Sequence, residues 1–512
     1  MLSIHTFVRH WAAVRPATVA MIDQGRVITY EMLDLLTRKL GAALAARGVT
    51  HGDRVIWYGK NADLYFQLLY AANWIGAIIV PVGWRLTPAE VQFIVQDVEP
   101  KIIVAEADFI EAAHAITSDK LQRVIVVAAD TVRAWMTAIR AGEFEGAAPD
   151  EPVLQLYTSG TTGAPKGAVL SSRNLFCLRE PAITAGVPWA KWREDEALLI
   201  GMPCAHIGGT GMGTMALGAG IPAIIQPEFS AEGTLAAIGA GVTRIFLVPA
   251  ALQMVINHAD AAATDFSRLA YILYGAAPMP LPLLQRAMSV IPNAGFLQYY
   301  GLTETTGAVV VLPPSDHDTA RPERLRSAGR AAPGVECRIV DADGAPVAMG
   351  EVGEIVIRSD ANMLGYWRRP AETAATRFPD RWLRTGDAAR MDADGFIYIQ
   401  DRIKDVIISG GENVYPAEVE SALQGHPDLA EVAVIGVPDV KWGEAVKACV
   451  VLRAGRRLDG PAVLAWARTQ IAAYKVPKSI DVVEVLPRNA AGKILRRELR
   501  APYWADHDRQ VN

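Results

Sequence analysis

This 512-residue chain has few cysteines and no large excess of positive or negative charge. The 4 cysteines stand far apart without a CxxC pair, which argues against a disulfide scaffold or a zinc finger and favours a reducing compartment. A formal net charge of −5 gives no electrostatic reason to expect nucleic acid or a polybasic membrane contact. The balance of 51% hydrophobic and 21% charged residues is that of a globular protein.

Long apolar segments are missing as well. The N-terminal segment carries Arg9 and Arg15 and lacks a continuous apolar core, so it does not resemble a signal peptide. The longest uncharged stretch, 207–226, holds six glycines and Pro222, which would make a poor membrane helix. We therefore expect loops with a buried strand over 207–226, no transmembrane segment and a cytoplasmic location.

Short β-branched runs alternate with helical patterns in the first third of the chain. This alternation predicts a largely parallel sheet with helices on its faces. Strands are predicted at 54–59, 77–83, 101–104 and 123–127. Helices are predicted over about 29–47 and 63–74, and another begins at Thr87, where Glu90 completes a capping box.

The last third of the chain changes character twice. Residues 330–400 are strand-rich, with a hairpin signal at Asp394–Gly395. From about residue 404 a smaller unit begins, with helices opening at Pro416 and Pro461. The predicted fold class is α/β: a large N-terminal domain of βα subdomains plus a β-rich subdomain, and a small α+β C-terminal domain on a hinge.

The strongest local signal is the segment YTSGTTGAPKG at 157–167, directly after a predicted strand at 153–156. Glycines let successive backbone N–H groups face one anion, hydroxyls add donors, and Lys166 adds positive charge. These features suit a triphosphate, although the spacing differs from that of a Walker A loop. A flexible linker between subdomains has the same composition.

Six segments, in this order, resemble motifs of the adenylate-forming acyl-CoA synthetase family. They are YTSGTTGAPKG (157–167), QYYGLTE (298–304), RTGD (384–387), DRIKD (401–405), SGGENVYPAEVE (409–420) and PRNAAGKILRREL (487–499). The resemblance implies that a carboxylic acid attacks ATP to give an acyl-adenylate and pyrophosphate, and that CoA then takes the acyl group as a thioester. It also implies an ATP- and acid-binding domain over 1–401, a hinge at 402–404 and a mobile domain over 405–512.

The same resemblance implies a set of ATP contacts. They are Thr158, Ser159, Gly160, Thr161, Thr162, Gly163, Lys166, Gly275, Ala276, Ala277, Tyr299, Tyr300, Gly301, Asp387 and Arg402. Residues 275–277 are expected to support the adenine, and Asp387 with Arg402 the ribose. Without the resemblance, Asp387 beside a glycine is typical of a turn, and an arginine between two aspartates is typical of a surface ion pair.

Three further residues are implied to act in adenylation. Thr303 contacts the α-phosphate, Glu304 binds Mg²⁺, and Lys493 reaches from the C-terminal domain to the carboxylate and α-phosphate. A cation placed where negative charge develops lowers the barrier. Alternatively, Glu304 is a helix N-terminal residue and Lys493 a solvated lysine of a basic stretch.

The resemblance assigns the hinge to Lys404 and a CoA site to Gly410, Gly411, Trp442 and Lys475. The glycines would give room to the pantetheine arm, Trp442 would stack on the adenine of CoA, and Lys475 would lie near its phosphates. Covering the core of the small domain is the alternative role for Trp442.

An acyl pocket is implied at His206, Ile207, Gly208 and Gly209, and His206 is also implied as a catalytic residue. The sequence departs from the family before this histidine, since Cys204–Ala205 stands where an aromatic residue is usual. Loss of that bulk predicts a roomier or differently gated pocket. A core histidine with satisfied hydrogen bonds is the alternative for His206.

Together the motifs indicate an ATP-dependent carboxylic acid–CoA ligase that uses ATP, Mg²⁺ and CoA on a fatty or aromatic acid. Its partners are then small molecules and not nucleic acid, and a homodimer is compatible with the sequence. Two alternatives stay open: an acid-adenylating enzyme that loads a carrier protein, and a nucleotide-binding paralogue without catalysis. Retention of Glu304 and Lys493 argues against the second, and the few residues after Lys493 leave no room for a fused carrier domain.

Overall fold

A computed structural model describes residues 3–117, 124–158, 165–488 and 494–505. Across these residues the chain forms four β-sheets, here called A to D, with helices packed on them. The α-helices span Ile4–Val14, Tyr30–Ala45, Asp63–Trp74, Pro88–Val98, Ile110–Thr117, Ala129–Ala138, Ser172–Phe176, Arg179–Thr184, Ile207–Ala219, Ala231–Gly239, Pro249–Asn257, Leu281–Val290, Pro370–Ala375, Pro416–Gln424, Gly460–Gln470 and Arg496–Trp504.

Sheets A and B form the main part of the large domain. In spatial order, sheet A contains Arg330–Ala331, Gly307–Leu312, Gly295–Leu302, Tyr271–Gly275, Arg244–Leu247, Leu198–Ile200, Ala223–Ile225, Val19–Asp23 and Arg26–Thr29. Sheet B contains Gly365–Tyr366, Lys166–Ser171, Pro152–Thr158, Ile78–Gly83, Arg54–Gly59, Ile102–Ala105 and Ile125–Ala128. Parallel pairing fills the middle of both sheets, as the βα alternation predicts.

The core of the large domain lies between these two sheets. Every residue of the helix Asp63–Trp74 is buried, because the helix contacts strands of both sheets. The predicted helix starts are confirmed: the Thr29 hydroxyl accepts from the Met32 N–H, and Thr87 and Glu90 form the capping box. Both caps are local interactions and therefore follow from short sequence patterns.

For residues 207–226, the expectation of loops is wrong and that of a buried strand is confirmed. Residues Ile207–Ala219 form an α-helix, followed by the strand Ala223–Ile225. Glycine disfavours an isolated helix, but here it permits close packing. A Cβ at Gly213 would overlap the Phe66 ring, and one at Gly218 would lie 2.7 Å from Phe176 Cε1. Tertiary packing thus outweighs the low helix propensity.

The β-rich part and the small domain follow. Sheet C is antiparallel and contains Glu336–Val340, Gly353–Arg358, Leu383–Met391 and Ile397–Arg402, with the predicted hairpin at Asp394–Gly395. Sheet D contains Glu412–Val414, Ile407–Ser409, Gly443–Leu452, Leu429–Asp439 and, beside Gly443–Leu452, Ser479–Val482. The small domain has its own apolar core between sheet D and the helices Pro416–Gln424 and Gly460–Gln470. The mixed α/β class with a large and a small domain is confirmed.

Among the helices of the described ranges, none combines the length and the apolar character that a membrane crossing requires.

Candidate active site

A cleft of about 1800 Å³ opens between the large and the small domain. Its walls include Gly83, Thr158, Val248 and Ala276, each at or just after the carboxyl end of a strand of sheet A or B. The carboxyl edge of parallel strands is where α/β folds bind ligands, because the loops there are free to vary. The small domain contributes Leu495 to the lining.

The first wall is the hairpin that carries the predicted phosphate loop. Thr158 pairs with Lys166 across antiparallel strands, and both line the cleft. The Lys166 Nζ lies 5.4 Å from the centre of the Tyr366 ring. The predicted ATP contacts Ser159, Gly160, Thr161, Thr162 and Gly163 lie outside the described residues.

A second wall combines the ends of two neighbouring strands of sheet A. Gly275 lies opposite Tyr299 in the strand register, and a Cβ there would overlap the Tyr299 carbonyl oxygen. This close approach requires glycine. Of the described residues at this point, Ala276, Tyr299 and Gly301 line the cleft, whereas Gly275 and Ala277 do not. Ala276 has a φ of +63°, which turns the chain along the cleft.

The predicted ribose contacts lie together. Arg402 Nε is 2.8 Å from Asp387 Oδ1, and the Tyr300 hydroxyl donates to Asp387 Oδ2 at 2.7 Å. Arg402 lines the cleft, while Asp387 is only 4% exposed and lies behind it. Burial and the Asp387 charge raise the pKa of Tyr300, so the phenol stays protonated and can donate.

Thr303 and Glu304 line the cleft just after the strand Gly295–Leu302. The Tyr366 hydroxyl donates to Glu304 Oε1 at 2.7 Å, and burial beside this carboxylate raises the pKa of Tyr366. The donated hydrogen bond fixes the direction of the Glu304 carboxylate. Within the described part of the chain, no group of three or more His, Cys, Asp or Glu residues is arranged to hold a metal. A single carboxylate fits Mg²⁺, which usually keeps several waters and takes its other ligands from substrate phosphates.

His206 lies at the N-cap of the helix Ile207–Ala219 and lines the cleft. Its Nε2 is buried and finds no hydrogen-bond partner within the described residues. Burial and the nearby Arg85 charge lower the pKa of His206 to about 4, so the imidazole is neutral at physiological pH. The alternative of a satisfied core histidine therefore does not describe this side chain.

The neighbours of His206 divide into cleft and core positions. Ile207 and Gly208 line the cleft, whereas a Cβ at Gly209 would overlap the Pro203 carbonyl oxygen. Gly209 therefore serves packing. At the departure from the family pattern, Ala205 lines the cleft and Cys204 is buried, with its N–H donating to Asn61 Oδ1 at 2.8 Å.

The cleft extends from His206 along this helix with an apolar lining, and this part of the cleft is called the channel below. The side of the helix that lines the cleft carries residues four apart: Ile207, Gly211, Met215 and Ala219. Twelve residues of α-helix rise by about 18 Å. The spacing was visible in the sequence, but the glycine content predicted loops and concealed it.

The small domain borders the cleft with residues that flank the predicted catalytic lysine in the sequence. Arg488 and Ile494 form a β-bridge, and both line the cleft. Residues 489–493, including Lys493, lie outside the described residues.

One interaction at the domain boundary was not predicted from the sequence. The Asp401 carboxylate accepts from the Ala417 N–H at 2.7 Å and lies 3.5 Å from Arg496 Nη1. Arg496 also forms a bidentate bond to Glu420.

The predicted hinge residue lines the cleft, whereas the predicted CoA residues do not. Lys404 is exposed at the mouth of the cleft. The Gly410 N–H donates to the Trp442 carbonyl at 2.8 Å, and a Cβ at Gly410 would lie 2.7 Å from the Trp442 ring. Gly411 follows, while the Lys475 ammonium is bound by Glu418 at 2.7 Å. These four CoA candidates are all described residues, and they lie outside the wall of the cleft.

The chain matches two family models, "AMP-binding enzyme" over residues 8–367 and "AMP-binding enzyme C-terminal domain" over residues 418–493. It is 38% identical to a fatty acid–[acyl-carrier-protein] ligase of Streptomyces coeruleorubidus, over 97% of this chain and 96% of that protein. It is 37% identical to a feruloyl-CoA synthase of Amycolatopsis, over 96% of each chain. Its fold matches o-succinylbenzoate CoA synthetase of Bacillus subtilis, solved with its acyl-adenylate, with a TM-score of 0.86, 30% identity, and coverage of 96% of this chain and 97% of that one.

Proposed function

Because this chain belongs to the adenylate-forming acyl-CoA synthetase family of AMP-binding enzymes, we propose a role for each wall of the cleft in its two half-reactions. The activity is ATP-dependent ligation of a carboxylic acid to CoA. A carboxylate oxygen attacks the α-phosphorus of ATP, the bond to pyrophosphate breaks, and an acyl-adenylate forms. The CoA thiol then attacks the acyl carbon, AMP leaves with the bonding electrons, and the thiol proton passes to solvent.

One observation carries the assignment of roles. A single cleft is lined by the ends of the phosphate-loop hairpin, by Glu304, by Arg402 and by the residues that flank Lys493, and an apolar channel opens into it. Adenylation requires this combination, since two anions must meet beside a cation with water kept away.

ATP is proposed to lie across the ends of sheets A, B and C. Thr158 and Lys166 would hold the phosphates together with the loop at 159–163. The adenine would lie against Ala276 and Tyr299, with Gly275 and Ala277 shaping that turn, and Gly301 leaves room beside it. The pair of Arg402 and Asp387, supported by Tyr300, would hold the ribose hydroxyls.

Glu304 is the proposed ligand for Mg²⁺, and Thr303 the contact to the α-phosphate. Bound Mg²⁺ would neutralise the phosphate oxygens and make pyrophosphate a better leaving group. Tyr366 holds the Glu304 carboxylate in one direction through its 2.7 Å hydrogen bond. Glu304→Gln is expected to raise the Mg²⁺ concentration needed for half-maximal activity.

The acid is proposed to enter the channel along the helix Ile207–Ala219, with its carboxylate near His206. The neutral imidazole places an uncharged polar ring beside the acid, and the unpartnered Nε2 is free to bond to it. The channel is long and has few polar groups in its lining. Both properties favour a fatty acid over a compact aromatic acid.

The two half-reactions are proposed to use two arrangements of the domains 1–401 and 405–512, joined by a hinge at 402–404. In the present arrangement the residues beside Lys493 line the cleft, which supports adenylation by that lysine. Gly410, Gly411 and Trp442 lie outside the cleft wall, so the thioester step requires rotation about Lys404 to bring them in. Lys475 would have to release Glu418 to contact CoA.

A carrier protein is the second candidate acceptor of the acyl group, because the relative from Streptomyces coeruleorubidus is a fatty acid–[acyl-carrier-protein] ligase. Both candidates share the adenylation step and differ in the thiol that accepts the acyl group. The cleft residues described above serve either acceptor.

The decisive experiment incubates the purified protein with ATP, Mg²⁺ and a panel of fatty and aromatic acids. Acid-dependent exchange of labelled pyrophosphate into ATP, with AMP as the nucleotide product, is expected, and ADP would contradict the proposal. Mass spectrometry of products formed with free CoA or with a phosphopantetheinylated carrier protein then identifies the acceptor. If the carrier protein is acylated and no acyl-CoA forms, the acceptor is the carrier protein and not CoA.

A further inference from the structure

A second cavity of about 580 Å³ adjoins the cleft. Val187 and Trp192 line both cavities, so the Trp192 side chain forms part of the wall between them. Both residues belong to the segment 185–195, which is mostly exposed and follows the helix Arg179–Thr184. Two tryptophans in this exposed segment, Trp189 and Trp192, line the cleft instead of facing only solvent.

This segment lies at the far end of the acyl channel. Arg15 connects the two: its Nη2 donates to the Gly220 carbonyl at 3.1 Å, and its Nη1 lies 3.0 Å from Glu194. Gly220 is the C-cap of the helix whose N-cap is His206. Trp192 is therefore close to the helix end opposite the proposed carboxylate site.

A buried ion pair holds this wall in place. Arg244 is 1% exposed and bonds to Glu196 through Nε at 2.9 Å and Nη2 at 3.2 Å. Its Nη1 donates to the Trp189 carbonyl at 2.8 Å, and its guanidinium lies 4.4 Å from the centre of the Trp192 ring. A buried arginine persists only where its hydrogen bonds are satisfied. Here those bonds fix both tryptophans from behind.

We propose that Trp192 closes the acyl channel and sets the upper limit on the length of the acid, an inference that rests on the proposed function. A zigzag carbon chain advances about 1.25 Å per atom, so an extended chain that follows the helix over its rise of about 18 Å from Ile207 to Ala219 has about 14 carbons. Longer chains must displace the indole to reach the second cavity. Arg244 is a positioning residue in this arrangement, since it acts through Trp192.

The test compares wild type with Trp192→Ala and Trp192→Leu, using octanoate, myristate and stearate in a pyrophosphate-release assay. Wild type is expected to use myristate well and stearate poorly. Both variants are expected to raise kcat/KM for stearate by about tenfold, the scale of a contact with one or two methylenes, and to leave octanoate nearly unchanged. Trp135→Ala is the matched control, because Trp135 also packs under an arginine, Arg47, but lies outside both cavities.

The outcomes separate the two proposals. An unchanged preference among the three acids in both variants, with octanoate activity retained, would overturn the role of Trp192 alone. A wild-type enzyme without activity on any fatty acid, but active on an aromatic acid, would overturn the proposed acid class and this inference with it. If Trp192→Ala fails to fold, the leucine variant keeps an apolar side chain at the position and decides the question.

Discussion

The carboxylate of Asp401, at the end of sheet C, lies 3.5 Å from the guanidinium of Arg496, in the last helix of the small domain. The same carboxylate accepts a hydrogen bond from the Ala417 N–H at the start of the helix Pro416–Gln424. Asp401 precedes the proposed hinge, and both partners follow it. These contacts therefore join the two domains in the present arrangement, and rotation about the hinge must break them.

The contacts of Asp401 predict different effects on the two half-reactions. Asp401→Asn removes the charge that holds Arg496 and weakens the arrangement in which Arg488 and Ile494 line the cleft. Acid-dependent ATP–pyrophosphate exchange is expected to fall about tenfold, the cost of one buried charge-assisted bond. Thioester formation from added acyl-adenylate is expected to change less. The control Asp428→Asn removes a half-buried carboxylate that pairs with Arg456 inside the small domain. Equal losses in both steps would contradict a role in domain arrangement.

His206 predicts a pH dependence of stability. Its pKa is lowered to about 4 in the folded protein, whereas the pKa of a histidine in the unfolded chain is near its ordinary value of 6.5. Between these values the unfolded state binds more protons, so this group's contribution to folding is present above pH 6.5 and is lost as the pH falls toward 4. His206→Gln is expected to reduce the drop in Tm between about pH 7 and pH 5. His317 has a similarly lowered pKa and stays in the variant, so part of the drop remains. A drop as large as that of wild type would show that His206 is not buried in its neutral form.

Two glycine substitutions test why the helix Ile207–Ala219 exists. Gly213→Ala would overlap the buried Phe66 ring and is expected to destabilise the fold by about 1–3 kcal/mol. Gly239→Ala, at the end of the helix Ala231–Gly239, meets no atom within 4 Å and is expected to be neutral or to stabilise by up to about 1 kcal/mol. Thermal unfolding of both variants measures the difference. Similar Tm values would contradict the packing explanation.

The local features of this fold were readable from the sequence. The caps at Thr29 and Thr87 involve side chains within three residues of their partners, and a pattern of a few residues specifies them. The glycine-rich helix was not predicted, because the benefit of each glycine comes from distant rings such as Phe66. Helix propensity describes only the local destabilisation of a helix by glycine. It does not include the stabilisation from packing against distant side chains.

The sequence predicted candidate residues for the site but not the hydrogen bonds and ion pairs between them. The motifs placed Glu304 and Asp387 in the site, yet the partner that orients Glu304 is Tyr366, 62 residues away. The contact between Asp401 and Arg496 spans 95 residues. Trp192 and Arg244 carry no motif, and only the tertiary structure brings them to the acyl channel. Such contacts arise from tertiary structure, and the spacing of residues in the sequence does not reveal them.

The most direct measurement of the central claim follows both half-reactions in Lys493→Ala. The proposal places this cation where charge develops during adenylation, so ATP–pyrophosphate exchange is expected to fall by roughly 10²–10³-fold. Release of the thioester from added acyl-adenylate and CoA is expected to continue at a rate near that of wild type. Lys39→Ala, on the helix Tyr30–Ala45 outside the cleft, serves as the control and is expected to leave both rates unchanged. Comparable losses in both half-reactions, or an unaffected exchange rate, would contradict the account.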